Sequence, residues 1–180
     1  MPRIALLAGL IGALVVAGVA VAGSAGSVYT YKSSLTSGVE VPKPKGAAGA
    51  KGTFTATVTE NGSTRLLKWK LTFSGLSGTA IAAHIHKGKA GVAGAVLVPL
   101  CGPCTSGKSG QVKISKNAGD LLEHGPVYVN VHTAKNGGGE IRGQIKLVGE
   151  HEASNGAGAS TQPATTTPDT TTTDGGYPGY

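Results

Sequence analysis

The sequence predicts an all-β fold: an antiparallel β-sandwich or barrel of about seven to eight short strands, with one short helical turn. Three observations carry that expectation. Apolar and polar residues alternate with period two through the middle of the chain. Turn-forming residues interrupt it at short intervals. No long amphipathic helical pattern is available to pack against a sheet.

The strands are read in order. Ala50 to Phe73 forms a hairpin, with Phe54, Ala56 and Val58 alternating with threonines. Asn61-Gly62 marks its turn, because both residues tolerate positive φ. Leu67, Trp69, Leu71 and Phe73 then alternate with Lys68, Lys70 and Thr72. The lysines face solvent and Trp69 faces the core. Gly75 to Gly78 is a turn, and Ala80 to His86 is the next strand. A Gly-rich loop, Lys87 to Gly94, leads into a strand from Val96 to Leu100. Cys101 to Gly110 is a second loop before the strand Gln111 to Ile114. Asn117 to Glu123 makes the helical turn, ended by Gly125. Pro126 introduces the strand Val127 to His132. Asn136 to Gly139 turns the chain, and Glu140 to Val148 closes the domain.

The two ends have a different character. Ile4 to Ala22 contains no charged residue and follows Arg3. A basic start, an apolar run and small residues at the Ala20-Val21-Ala22 or Gly23-Ser24-Ala25 site describe a secretory signal peptide over 1–25. The run is also close to the roughly 20 residues that span a bilayer, so the alternative is an uncleaved N-terminal membrane anchor. Both place the rest of the chain outside the cytoplasm, secreted or associated with the envelope. Residues 150–180 are rich in Thr, Pro and Gly, and a stretch so poor in apolar residues is expected to stay disordered. The folded domain is therefore placed at 28–149.

The 180 residues hold 16 Lys and Arg against 9 Asp and Glu, a formal net charge of +7. The lysines are scattered singly, without Arg-rich runs or interleaved aromatics, which argues against nucleic-acid binding. A basic surface facing an extracellular protein or an anionic envelope polymer is the expected partnership. Membrane contact is expected only through an uncleaved N-terminal segment.

Three motifs identify a family resemblance. Ala83-His84-Ile85-His86-Lys87-Gly88, followed by Gly91 and Gly94, resembles the AHIH-x-G-x-x-G core of the CHRD domain, named after chordin. Tyr128-Val129-Asn130-Val131-His132-Thr133 and Gly138-Gly139-Glu140-Ile141-Arg142-Gly143-Gln144-Ile145 resemble that family's YVNVHT and GGEIRGQI segments. Gly137 departs from the family's usual Pro. The resemblance spans roughly Tyr31 to Val148. It implies an extracytoplasmic β-sandwich, immunoglobulin-like or superoxide-dismutase-like. It also implies a non-enzymatic binding or envelope-associated module of unknown ligand, with Tyr128, Asn130, Glu140 and Arg142 as family residues.

The histidines suggest a second reading. His84 and His86 are two apart in a strand, so both point to one face. His132 ends another strand. If the strands are neighbours, three imidazoles converge in a manner suited to zinc or copper. Glu140 is placed to orient one imidazole from behind, or to pair with Arg142 on its own strand. The HxH strand and the later VxVH strand are similar to the copper site of Cu,Zn superoxide dismutases. A bridging His, a zinc loop and a fourth copper ligand are not evident. His124 and His151 are expected on the surface, His151 at the start of the tail.

Cys101-Gly102-Pro103-Cys104 has the spelling of a thioredoxin site. No helix follows it to lower a thiol pKa. In an exported chain the pair is expected to form a structural disulfide.

Overall fold

The computed structural model describes residues 26–153. The segments read as an export signal and as most of the tail lie outside the described residues.

Nine strands and one helix make up the domain. They are β1 (Ser27–Thr36), β2 (Lys51–Asn61), β3 (Thr64–Ser74), β4 (Ala80–Lys87), β5 (Val96–Cys101), β6 (Ser109–Ile114), α1 (Lys116–His124), β7 (Val127–Thr133), β8 (Ile141–Gln144) and β9 (Lys146–Glu152). Every pairing is antiparallel. The spatial order is β5-β4-β7-β8-β1-β2-β3-β6, with β9 laid beside β1. The end strands β5 and β6 approach one another, so the sheet is a nearly closed barrel.

The β2–β3 hairpin forms as its alternation dictates. Phe54, Val58, Leu67 and Leu71 point inward and are almost wholly buried, while Lys68 and Lys70 face water. Trp69 joins the core at 6% exposure. Its ring lies against Gly110 of β6, where even a Cβ would stand 2.6 Å away. The strands pair as far as Asn61 and Thr64, so the turn is Gly62-Ser63, one residue later than the Asn61-Gly62 signal.

Three elements differ from the expectation. The first strand, β1, carries Tyr29, Tyr31 and Leu35 inward and pairs with β2 along its whole length. The single closing strand divides at Ile145, whose N–H donates to the Val127 carbonyl. Before that point β8 pairs with β7, and after it β9 pairs with β1. β9 runs to Glu152, so the domain extends past 149 and His151 lies opposite Val28 rather than in a tail. The helical turn is a nine-residue α-helix. The Ser115 hydroxyl accepts from the Ala118 N–H at its start, and Ala118 and Leu122 are buried against the barrel. No helix among the described residues is long and apolar enough to cross a membrane.

Candidate metal centre

β4 and β7 are neighbours, with His84 opposite Asn130, His86 opposite Tyr128 and Ala82 opposite His132. Alternation sends Ala83, Ile85, Val129 and Val131 into the core. The histidines, Tyr128 and Asn130 therefore share the outer face. An outer face is ordinarily wet, yet every residue of β7 is buried. Loops cover it.

The three imidazoles converge. One ring nitrogen of each of His84, His86 and His132 lies within 4.8 Å of the others. His84 Nδ1 is 3.1 Å from His132 Nε2. His86 Nδ1 donates to the Gly94 carbonyl at 2.9 Å, and His132 Nδ1 donates to the Gly137 carbonyl at 3.0 Å. A neutral imidazole that donates from Nδ1 keeps a lone pair on Nε2. The His86 Nε2 is buried with no group at hydrogen-bonding geometry, the Asn130 side chain being the nearby polar group that acts on the ring. Metal-bound histidines are commonly held in this way, the far nitrogen fixed by a carbonyl or carboxylate.

Electrostatics keep the rings neutral. Burial lowers the His84 pKa to about 4, helped by the neighbouring His132 and His86. Burial likewise lowers His86, against the opposing bond to Gly94, and lowers His132, against the bond to Gly137. Three neutral nitrogen donors fit a borderline cation.

Glu140 stands elsewhere. It precedes β8 and is 0% exposed. Its carboxylate accepts from the Ser77 N–H (2.5 Å), the Ser77 hydroxyl (2.7 Å), the Thr133 hydroxyl (2.5 Å) and the Asn136 amide (2.9 Å). Burial alone would raise its pKa, but these bonds outweigh it and hold the carboxyl below its usual range. It touches no imidazole; backbone carbonyls orient the rings instead. Nor does it pair with Arg142. The two are even-spaced in sequence, but Glu140 precedes β8 and its carboxylate is taken by Ser77, Thr133 and Asn136, while Arg142 turns to Glu40, 3.8 Å away in a wholly buried pair.

The family model described as CHRD domain matches residues 31–145. The chain belongs to the CHRD domain family. No curated protein and no solved structure matches it.

The CHRD motif residues have physical work to do around the histidines. Arg142 donates from Nη2 to the carbonyls of Lys89 (3.2 Å) and Val92 (2.7 Å). Its guanidinium lies 3.6 Å above the Tyr128 ring. Tyr128 stacks on His86, with ring centroids 4.9 Å apart, and its hydroxyl accepts from the Gly94 N–H. The Gln144 amide donates to the Gly88 carbonyl. The Gly88–Gly94 loop is thus fastened to the outer face by side chains from β4, β7 and β8. Gly94 is required because a Cβ there would stand 1.6 Å from the Lys87 carbonyl oxygen. Gly139, at φ +129°, packs on Glu40 and Asn130, leaving no room for a side chain. The Gly137 carbonyl that holds His132 would survive in the family's usual Pro.

The sequence reading missed Glu40, Ser77 and Asn136. Glu40 sits beyond a 3-10 turn at Ser37–Val39, distant in sequence from every motif. The remaining candidates lie apart from the centre. The sulfurs of Cys101 and Cys104 are at bonding distance, with Cα atoms 5.4 Å apart at the end of β5. The chain after Cys104 is a turn and then β6, not a helix. His124 is exposed beside Glu123.

Proposed function

We propose that this CHRD-family chain is an extracytoplasmic module that holds one transition-metal ion, copper or zinc, through His84, His86 and His132. The observation that carries the reading is the buried, unpartnered Nε2 of His86 among two further imidazole nitrogens within 4.8 Å. An orphaned buried polar atom costs on the order of 1–3 kcal/mol, a cost that a bound cation removes. Zinc–nitrogen bonds of about 2.0–2.1 Å need the three nitrogens to draw in to roughly 3.3 Å separations. The ring most free to move is His84, which is only half-buried and whose ring makes no bond to a backbone carbonyl. Three protein ligands leave coordination positions for water or for a partner's group.

Export supports this assignment. The apolar run at Ile4–Ala22 and the cysteine pair both suit a site outside the cytoplasm. The Thr-rich C-terminal segment then serves as a spacer.

The deciding measurement is metal content of the purified chain after reconstitution with zinc or copper. One ion per chain is expected, falling to background in His84→Ala while the circular dichroism spectrum is retained. Absence of stoichiometric metal in the folded wild-type chain would sink the assignment. A module that binds an extracellular protein without metal would instead keep partner binding in the same variant.

A further inference from the structure

Asn130 stands amid the three imidazoles. It faces His84 directly across the β4–β7 pair and lies two residues before His132 on the same face of β7. His86 is the next residue along that face of β4. Asn130 is 1% exposed, and its Oδ1 has no hydrogen-bond partner in the protein. Buried side-chain oxygens are nearly always paired, so this one calls for an explanation.

The two ends of its amide face different neighbours. A Cβ added at Gly139 would lie 2.5 Å from Glu40 Oε2 and 2.8 Å from Asn130 Nδ2, which puts the amide nitrogen and the carboxylate around one small space. That orientation is the favourable one, because a carboxylate accepts and an amide nitrogen donates. Burial raises the Glu40 pKa, and the Asn130 amide is among the groups that oppose the rise. The amide oxygen is left on the His86 side. Burial lowers the His86 pKa, and the Asn130 side chain opposes that shift too, as an acceptor does. His86 gives its Nδ1 proton to the Gly94 carbonyl, so its Nε2 offers a lone pair. Two acceptors, Nε2 and Oδ1, are therefore buried beside one another, and neither is satisfied.

We infer that the Asn130 side-chain oxygen is a fourth protein ligand, which with His84, His86 and His132 makes a closed zinc site. The inference rests on the metal assignment proposed above. A cation satisfies both orphaned acceptors at once, and the oxygen takes one of the positions that three imidazoles leave open. Zinc has no geometric preference of its own and accepts three nitrogens and one oxygen as a tetrahedral set. Four protein ligands are the arrangement of structural rather than catalytic zinc. Copper(I) is instead selected by softer sulfur ligands, and none belongs to this group. A residue serving only the buried Glu40–Arg142 pair would use its amide nitrogen and leave Oδ1 unexplained.

The test is a zinc titration of the full chain, followed through the carbon-13 resonances of the asparagine side-chain carbonyls. The Asn130 resonance is expected to shift as zinc binds. That of Asn136, whose oxygen accepts from the Lys45 N–H, is expected to stay in place. Competition against a chromophoric chelator is expected to show Asn130→Ala binding zinc at least about tenfold more weakly, since losing even a group that only orients a ligand costs a metal site that much. A wild-type chain that takes up neither zinc nor copper overturns the metal assignment, and this inference with it. Uptake of copper alone leaves that assignment standing and overturns the closed zinc site. One zinc per chain with an unmoved Asn130 carbonyl also overturns this inference alone, because a residue that merely orients His86 weakens binding without touching the ion. So does full zinc affinity in a folded Asn130→Ala chain. If that variant does not fold, the wild-type resonance decides.

Discussion

His84 Nδ1 and His132 Nε2 lie 3.1 Å apart although 48 residues separate them in the chain. The direction of that hydrogen bond is fixed by a third group. His132 spends its own proton on the Gly137 carbonyl, so its Nε2 is an acceptor and His84 must donate from Nδ1. This arrangement suits three neutral rings, and a cation bound at His84 Nδ1 would require that ring's proton to move to Nε2.

Nitrogen-15 spectra of the imidazoles check this assignment directly. His86 and His132 are expected as Nδ1–H tautomers in the metal-free chain. Zinc should shift the Nε2 resonances of both and leave their Nδ1 protons in place. The alternative tautomer at either ring contradicts the carbonyl bonds.

Arg142 closes the loop over this face, and its replacement tests the closure. Arg142→Lys keeps the charge but loses the planar fork that reaches two carbonyls while lying on Tyr128. It also leaves Glu40 poorly paired in a buried site. Breaking a buried pair costs about 3–5 kcal/mol, and the stacked contact adds up to about 2 kcal/mol when desolvated. Urea unfolding should therefore show a loss of roughly 2–4 kcal/mol, because lysine retains part of the pairing. A loss below about 1 kcal/mol would show that the loop is held by other means.

How far the sequence reveals this arrangement depends on distance along the chain. The β2–β3 hairpin is legible because its inner and outer faces alternate Leu and Trp with Lys, and its partners are adjacent. The histidine convergence is legible because HxH fixes one face and β7 carries its own alternation. β1 is not legible. Its inward row is Tyr29, Tyr31, Ser33 and Leu35, and the serine breaks the apolar pattern. Glu40 is hidden for another reason. Its role depends on Arg142, a hundred residues away, and no local spacing encodes that pair. Glu140 is not legible either, because its spacing suggests Arg142 as partner, whereas donors from Ser77, Thr133 and Asn136, distant or off-face in sequence, claim it.

Acid stability follows from Glu140. Its folded pKa is depressed, so the unfolded chain binds the proton more readily. The stability it contributes is fully present above the ordinary Glu value of 4.5 and is lost as pH falls through the folded pKa. Glu140→Gln removes the charge-assisted bonds, each worth about 1.5–3 kcal/mol, and should cost about 2–4 kcal/mol at neutral pH. Melting curves from pH 7 to pH 3 should show the gap between wild type and variant narrowing below pH 4.5. A constant gap would mean the carboxylate is not ionised in the native protein.

The cysteine pair gives the last prediction. Cys101 and Cys104 close a very short loop, for which the chain-entropy relation gives only about 1–2 kcal/mol. Cys101→Ser with Cys104→Ser should therefore leave a folded domain with a modestly lower melting temperature. The pair lies at the end of β5 and before a turn, so no helix terminus stabilises a thiolate there. Insulin reduction by the wild-type chain is expected to match that of the double variant. Catalysed reduction by the wild type alone would make the pair a redox centre. Unchanged metal content in the double variant would separate the pair from the histidine site, since neither cysteine belongs to the group of three imidazoles.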